Sequence, residues 1–286
     1  MLIGLTRLVS ASINDCELTF HEQQPIDVER AIEQHRAYED CLRNLGVEIV
    51  RLPAEPDLPD AVFVEDTAIV VDEVAVIPVM GAASRRPETA SVAAALKSYR
   101  PLRYLEAPAT LDGGDVLRVG RRVFVGLTHR TNREGIAQLS AHLAPFGYKV
   151  RAVEVTGCLH LKSACTQVGD GTLLINRDWV DATAFAEFEL IDVAATEPGA
   201  ANALLIGEAV VMPSAFPQTI ELLEARGIKV RSVDVSEFQK AEGGITCKSI
   251  IFNSSVAYKG SCTVSSGSRA ASFVSSSDSL AISQVY

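Results

Sequence analysis

The sequence has no apolar stretch of membrane-spanning length. Its longest apolar runs, such as V-A-V-I-P-V-M at 74–80, fall far short of the roughly 20 residues that a spanning helix needs. The opening M-L-I-G-L-T-R-L lacks the basic start, long apolar stretch and small-residue cleavage site of a secretion signal, so it reads as a first strand and a cytoplasmic setting is expected. A positive balance is also missing. With 26 Lys+Arg against 36 Asp+Glu the formal net charge is −10, which argues against nucleic acid and anionic membrane as partners, since both reward basic patches. The same balance is compatible with a small cationic substrate. The six cysteines (Cys16, Cys41, Cys158, Cys165, Cys247, Cys262) form no C-x-x-C pair and no metal-like spacing. In a reducing compartment most should be free thiols, each with a plain reading as a small buried apolar residue.

At 286 residues and 48% hydrophobic composition, the chain can bury a substantial core as one large domain or two small ones. An internal repeat favours one: two short strands, a helix, then a strand. One copy runs through 60–80, a helical stretch near 86–99, and P-L-R-Y-L-E at 101–106. Another has a hairpin at 115–126 turning at Gly120, a helix over 132–147 closed by Gly147, and a strand at 148–155. A third spans 202–212, 217–227 and 228–235, with Gly227 ending its helix. Less regular copies fill 158–193 and the N-terminal portion, where a helix from about Val28 to Leu45 precedes V-E-I-V-R-L, and S-I-I-F-N-S (249–254) is expected to complete that unit. Roughly five units of about 50 residues predict a closed ring of α/β blades over 1–258. The segment 259–286 is serine-rich and nearly uncharged, an appendage whose first reading is a flexible tail, though Phe273, Val274, Leu280, Ile282 and Tyr286 could pack.

Polar groups gather beside glycines and at strand ends. L-P-D-A-V-F-V-E-D (58–66) carries Asp60, Glu65 and Asp66, read as the end of an apolar strand. Buried together, these carboxylates would need a cation, and a guanidinium is the natural choice; a solvated acidic turn is the plain alternative. T-L-D-G-G-D-V-L (110–117) offers Asp112 or Asp115 to orient a histidine, or is an ordinary turn. His160, in G-C-L-H-L-K-S, is a core histidine unless a carboxylate and a nucleophile lie nearby. The other four histidines, His21, His35, His129 and His142, read as helix-surface or loop residues. Cys247, in A-E-G-G-I-T-C-K-S-I-I (241–251), is either a core thiol after a turn or a presented nucleophile. Lys248 beside it would point to the opposite face of a strand and so would not activate it.

Six segments in this order resemble the dimethylarginine dimethylaminohydrolase family: 58–66, G-A-x-S-R-R at 81–86, 110–117, V-G-L-T-H-R-T-N at 125–132, L-H-L-K-S at 159–163, and G-G-I-T-C at 243–247. The resemblance spans most of 1–258. It implies the fold of the guanidine-modifying superfamily, a pseudo-fivefold α/β propeller, or pentein, of ββαβ units, in agreement with the repeat count. By position, it implies Cys247 as nucleophile, His160 as general acid/base and Asp112 as the acid orienting it. It also implies Asp60, Glu65 and Asp66 as holders of the substrate's guanidinium and amino groups, and Arg85 and Arg130 as holders of its α-carboxylate. Leu18 falls in a lid-like segment, and Ala241 lies where the family uses main chain near the amino end.

The activity so implied is hydrolysis of Nω-methylated L-arginine to L-citrulline and methylamine or dimethylamine, with no metal or organic cofactor. The expected partner is that small molecule, with no nucleic acid and no membrane; a homodimer is left open. Rival readings are an arginine deiminase, an amidinotransferase, and a non-catalytic binding module of the same fold. Position 248 is lysine where some relatives carry a second cysteine, so metal or redox behaviour relying on that pair is not expected.

Overall fold

The first apolar segment is buried along nearly its whole length and forms β1 (Leu2–Arg7). The computed structural model of the protein describes residues 1–254; the boundary expected at 258 and the serine-rich 259–286 lie outside the described residues. After β1 comes helix α1 (Val28–Asn44), started by the Asp27 side chain, which accepts from the Arg30 N–H. It ends at Gly46, whose φ of +85° suits a residue without a Cβ. The chain returns as β2 (Val47–Leu52), parallel to β1, with Leu2 opposite Val47.

The next unit pairs β3 (Ile69–Val70) antiparallel with β4 (Ala75–Ile77), crosses over through α2 (Thr89–Leu96), and lays β5 (Leu102–Tyr104) parallel to β4. β6 (Val116–Val119) and β7 (Arg122–Leu127) repeat this with α3 (Arg133–Leu143) and β8 (Lys149–Glu154). The short helix α4 (Leu161–Ala164) leads into β9 (Cys165–Gly169), β10 (Thr172–Ile175) and β11 (Glu189–Asp192), where only a 3₁₀ turn at Ala182–Phe185 occupies the crossover. β12 (Leu204–Ile206), β13 (Ala209–Pro213), α5 (Pro217–Glu224) and β14 (Lys229–Val233) follow. Finally β15 (Ile250–Asn253) pairs antiparallel with the free side of β1, Asn253 opposite Leu2. The protein is thus α/β with five three-stranded sheets, and in each the middle strand has one antiparallel and one parallel neighbour.

Successive side chains of a strand point to opposite faces, and here the two faces feed different cores. On β7, Val123 and Val125 pack with Ile136, Leu139 and Leu143 of α3 and with Val76 of the preceding sheet. Phe124, between them in sequence, packs instead with Leu173, Ile175 and Phe185 of the following unit. Leu174 and Val210 share the next core, and Val211 shares another with Tyr38 and Leu42 of α1. Ile3 and Leu5 meet Ile77, Val92 and Leu96 in the core that joins the first sheet to the second. No helix among the described residues is long and apolar enough to cross a membrane.

Three local expectations are corrected. Residues 58–66 do not form a strand: the backbone passes through successive tight turns and ends in a 3₁₀ turn at Val64–Thr67. Unbroken burial of Ala61, Val62, Phe63 and Val64 reads alike for a buried strand and a buried turn, and the turn is what occurs. Cys247 and Lys248 likewise lie in a 3₁₀ turn, Thr246–Lys248, before β15 begins. His35 is not on a helix surface but is 3% exposed, against Tyr38 and Phe238.

Leu5 is fully buried on the middle strand that joins the two ends of the fold. Leu5→Ala should lower unfolding stability by about 2–5 kcal/mol, measured by urea denaturation; a loss below about 1 kcal/mol would show that the shared core can collapse onto the cavity.

Candidate active site

The candidate groups sit in turns beyond strand ends. The turn Val64–Thr67, carrying Glu65 and Asp66, packs against both the Gly113–Asp115 turn and the Thr246–Lys248 turn; α4, which follows His160, packs on the Gly113–Asp115 turn. The structure therefore brings the thiol turn, the carboxylate turn and the histidine together from widely separated parts of the chain. Gly114 is required by close approach rather than by backbone angle: a Cβ there would come within 2.6 Å of both Asp66 Oδ1 and His160 Nδ1. A Cβ at Gly244 would overlap the Asn202 side chain.

His160 is 5% exposed, and its Nε2 lies 3.2 Å from Asp112 Oδ2. Its Nδ1 is 3.9 Å from Asp66 Oδ1. Asp112 is itself fixed: Oδ1 accepts from the Gly81 N–H at 2.9 Å, and its own N–H donates to Thr131 Oγ1 at 3.1 Å. Asp115, the other acid of the motif, accepts from the Leu161 N–H at 2.9 Å and from the Thr128 and Thr131 hydroxyls at 2.7 and 2.6 Å, so it anchors the turn that presents His160. Burial disfavours a charged imidazole, but Asp66, Asp115 and Asp112 outweigh it and raise the His160 pKa to about 9.

Glu65 accepts from Lys162 Nζ and from Thr246 Oγ1, each at 2.6 Å. Burial raises its pKa, with Lys162 opposing. Asp66 accepts from Arg85 Nη1 at 2.8 Å and from the Gly114 N–H at 2.9 Å. Burial works against its charge, yet His160 and Arg85 hold its pKa down at about 2. Arg85 is buried and engaged, with Glu88 across Nε and Nη2 and with the Asp60 and Phe63 carbonyls. Its charge is balanced inside the protein. Arg130 is different: 7% exposed, with Nη1 lacking a hydrogen-bond partner 3.7 Å from Asp112 Oδ2, and Nη2 donating to Thr19 Oγ1 at 3.5 Å. Asp60 is buried and accepts from the Glu17 N–H at 3.1 Å.

Cys247 stays partly exposed while its neighbours Ile245, Thr246, Lys248 and Ser249 are buried. The Gly244 N–H donates to its Sγ at 3.3 Å. Burial, then Glu65 and Asp66, push its thiol up to about 12. Such a thiol rests protonated at neutral pH. Ala241 is buried, its N–H donating to the Phe238 carbonyl. Leu18 packs on the core that contains Val9 and Phe238. Just after Leu18, the N–H groups of Thr19, Phe20 and His21 all converge on Glu242 Oε1. Glu242 adopts φ +56°, a left-handed backbone that costs a side-chain-bearing residue roughly 1–2 kcal/mol.

Sequence reasoning gave no role to Lys162, Glu88, Thr246 or Glu242. Lys162 lies inside the L-H-L-K-S motif, and Arg85–Glu88 has the i, i+3 spacing of a helical ion pair, so those two had a local signal. Glu242 had none. Among the described residues no group of three or more His, Cys, Asp or Glu side chains is placed to hold a metal ion.

A thiol, a carboxylate-paired imidazole and a cluster of buried acids meet in the turns ahead of β3, β6, β9 and β15, the group set of a cysteine-type hydrolase site. A family model described as N,N dimethylarginine dimethylhydrolase, eukaryotic, matches residues 5–252. The N(G),N(G)-dimethylarginine dimethylaminohydrolase of Pseudomonas aeruginosa is 34% identical over 87% of this chain and 98% of its own length. That of Streptomyces coelicolor is 39% identical over 86% and 95% respectively. The crystal structure of a cysteine-to-serine mutant of the Pseudomonas aeruginosa protein, complexed with citrulline, superposes with a TM-score of 0.84 over 87% of this chain and 98% of that one, at 34% identity. The N-terminal domain of a cyanobacterial arginine dihydrolase shares the fold at TM-score 0.78 and 19% identity, over 88% of this chain and 98% of that domain. The chain belongs to the dimethylarginine dimethylaminohydrolase family.

The surroundings of His160 and Glu242 each set an expected outcome. Because the folded pKa of His160 is raised above its ordinary value of 6.5, its stabilising contribution is complete below the unfolded value and is lost as pH rises through about 9. The stability gap between wild type and His160→Gln in urea should therefore narrow between about pH 6 and about pH 10; a constant gap would contradict the raised value. Glu242→Ala should speed amide hydrogen exchange at Thr19–His21 by about tenfold or more while changing global stability by less than about 1 kcal/mol.

Proposed function

We propose that this chain hydrolyses Nω-methylated L-arginine, the asymmetric dimethyl and monomethyl forms, to L-citrulline and dimethylamine or methylamine, with Cys247 as nucleophile. The observation that carries the reading is the carboxylate turn of Glu65 and Asp66, packed between the Cys247 turn and the Asp112–His160 pair. Asp66 and Glu65 favour a planar cation beside the thiol, with Asp60 near the amino end and the main chain of Leu18 and Ala241 alongside. Arg130, with its unpartnered buried Nη1, is the stronger anchor for the α-carboxylate, and Arg85 supports the acids from behind.

The guanidinium carbon is a poor electrophile because its charge is delocalised, so its charge has to be held while the thiol is ionised. The bound cation offsets Glu65 and Asp66, the groups that hold the thiol protonated. The thiol proton passes to solvent as the thiolate forms, and Sγ then bonds to the guanidinium carbon, giving a tetrahedral intermediate. His160, protonated at neutral pH, gives its proton to the alkylated nitrogen as the C–N bond breaks. The neutral imidazole next takes a proton from water, whose oxygen attacks the thiouronium carbon. The C–S bond breaks as the added oxygen gives up its remaining proton to the departing sulfur, and citrulline and the resting thiol are restored.

We infer further that residues 1–254 act as one catalytic unit, with the five sheets closed as a pseudo-fivefold propeller. Two features support this. The shared cores link sheet to sheet in a cycle that returns to the first, and one cavity of about 310 Å³ is lined by Leu2, Val70, Leu117, Gln167 and Leu205, a residue from each sheet. A cytoplasmic setting belongs to the same proposal.

Purified protein given asymmetric dimethylarginine should release dimethylamine and citrulline, and Cys247→Ser should lower that rate by about a thousandfold or more. Ammonia from unmethylated arginine without dimethylamine would instead make the chain a deiminase. Turnover of neither substrate, with Cys247 no more reactive to iodoacetamide than the other cysteines, would leave a binding module.

A further inference from the structure

An extended backbone at 246–248 would have sent Lys248 away from the thiol, but the 3₁₀ turn keeps the two residues on one tight bend. The Lys248 side chain is wholly buried. Its Nζ donates to the Gly244 carbonyl at 2.6 Å and lies 4.7 Å and 5.2 Å from the ring centroids of Tyr38 and Phe238. Aromatic faces and one carbonyl stabilise an ammonium without neutralising it. Among the described residues Lys248 forms no salt bridge, and the negative groups acting on it are Cys247 and Glu65. Glu65 is already held by Lys162 and Thr246.

The remaining groups facing Lys248 do not help. His35 on α1 is buried and neutral, its pKa pushed down to about 4 by burial. Tyr38 on the same helix is neutral as well: burial pushes its pKa up, and its hydroxyl is paired with Ser249 Oγ at 2.7 Å. Burial also pulls Lys248 itself down to about 7. An ammonium buried with this little compensation is costly unless an anion forms beside it. The anion that can form there is the Cys247 thiolate.

We propose that Lys248 is the counter-cation of the Cys247 thiolate: from the same turn it supplies the positive charge that Glu65 and Asp66 oppose, and it holds the carbonyl of Gly244, whose N–H donates to Sγ. The coupling runs both ways, since ionisation of the thiol stabilises the ammonium and the ammonium favours the ionised thiol. Lys248 thereby acts through Cys247 as a positioning and electrostatic residue. This deepens the assignment of Cys247 as nucleophile. Its readout is alkylation of the resting protein, so a wrong substrate assignment would leave it standing.

The full chain is treated with iodoacetamide at fixed pH and the Cys247 peptide is followed by mass. Lys248→Gln keeps an N–H donor for the Gly244 carbonyl but carries no charge; Lys248→Met keeps neither. Because only the thiolate reacts, both variants should alkylate Cys247 about tenfold more slowly or worse at about pH 6.5, where Lys248 still carries its proton. A wild-type rate in Lys248→Gln, whether or not Lys248→Met slows, overturns the proposal and leaves the lysine as a peg for the turn. Should both variants fail to fold, the wild-type profile decides. A thiolate paired with an ammonium gives a log rate that bends toward a plateau as Lys248 loses its proton at about pH 7, below any bend from His160 at about 9. A line of unit slope across that range overturns it equally.

Discussion

The centre of this protein depends on keeping several carboxylates charged away from bulk water. Asp60, Asp66, Glu88, Asp112 and Asp115 are all buried, and Glu65 nearly so. Left uncompensated they would repel one another strongly enough to open the structure or to take up protons. The pairings that oppose this join separate turns: Asp66 with Arg85, Glu65 with Lys162 and Thr246, Asp112 with His160. The contacts that hold the turns in place are therefore the same contacts that set the site's potential. These acids are already oriented by other partners, so little reorganisation would accompany binding of a cation beside them.

The apolar architecture makes such a centre tolerable. Strands with two buried faces lock neighbouring sheets through common cores, as Val123 and Phe124 show by packing into different ones. The strands are short, and the chain leaves them in turns where side chains need not alternate. Reactive groups are collected in those turns, where backbone N–H groups such as those of Gly81, Gly114 and Leu161 are free to fix carboxylates. Rigid sheets below and polar turns above divide stability from chemistry.

Much of this was legible in the sequence. The repeat could be read because Gly46, Gly120, Gly147 and Gly227 punctuate it with turn chemistry that is local. Local pattern leaves Asp112 or Asp115 open and reads His160 and Cys247 equally well as core residues; only the family resemblance assigns them roles. The backbone of 58–66 and 246–248 was misread as extended, since apolar runs without alternation do not distinguish a strand from a buried turn. That misreading also sent Lys248 to the wrong side of the chain. The engagement of Arg85 by Glu88 and Asp66, and of Glu242 by three amides of the lid-like segment, arises from contacts made only once the chain is folded. No local pattern encodes those.

The pairing of β15 with β1 has a consequence for the order of synthesis. Thr246–Lys248 lies immediately before β15, so the thiol reaches its partners only when the last strand of the described fold docks beside the first. His160, Asp112 and the acids of 60–66 emerge from the ribosome well before it, and the hydrogen bond that ties the thiol turn to them, Thr246 to Glu65, spans 181 residues. A nascent chain thus keeps this thiol apart from the histidine and the acids until folding is complete.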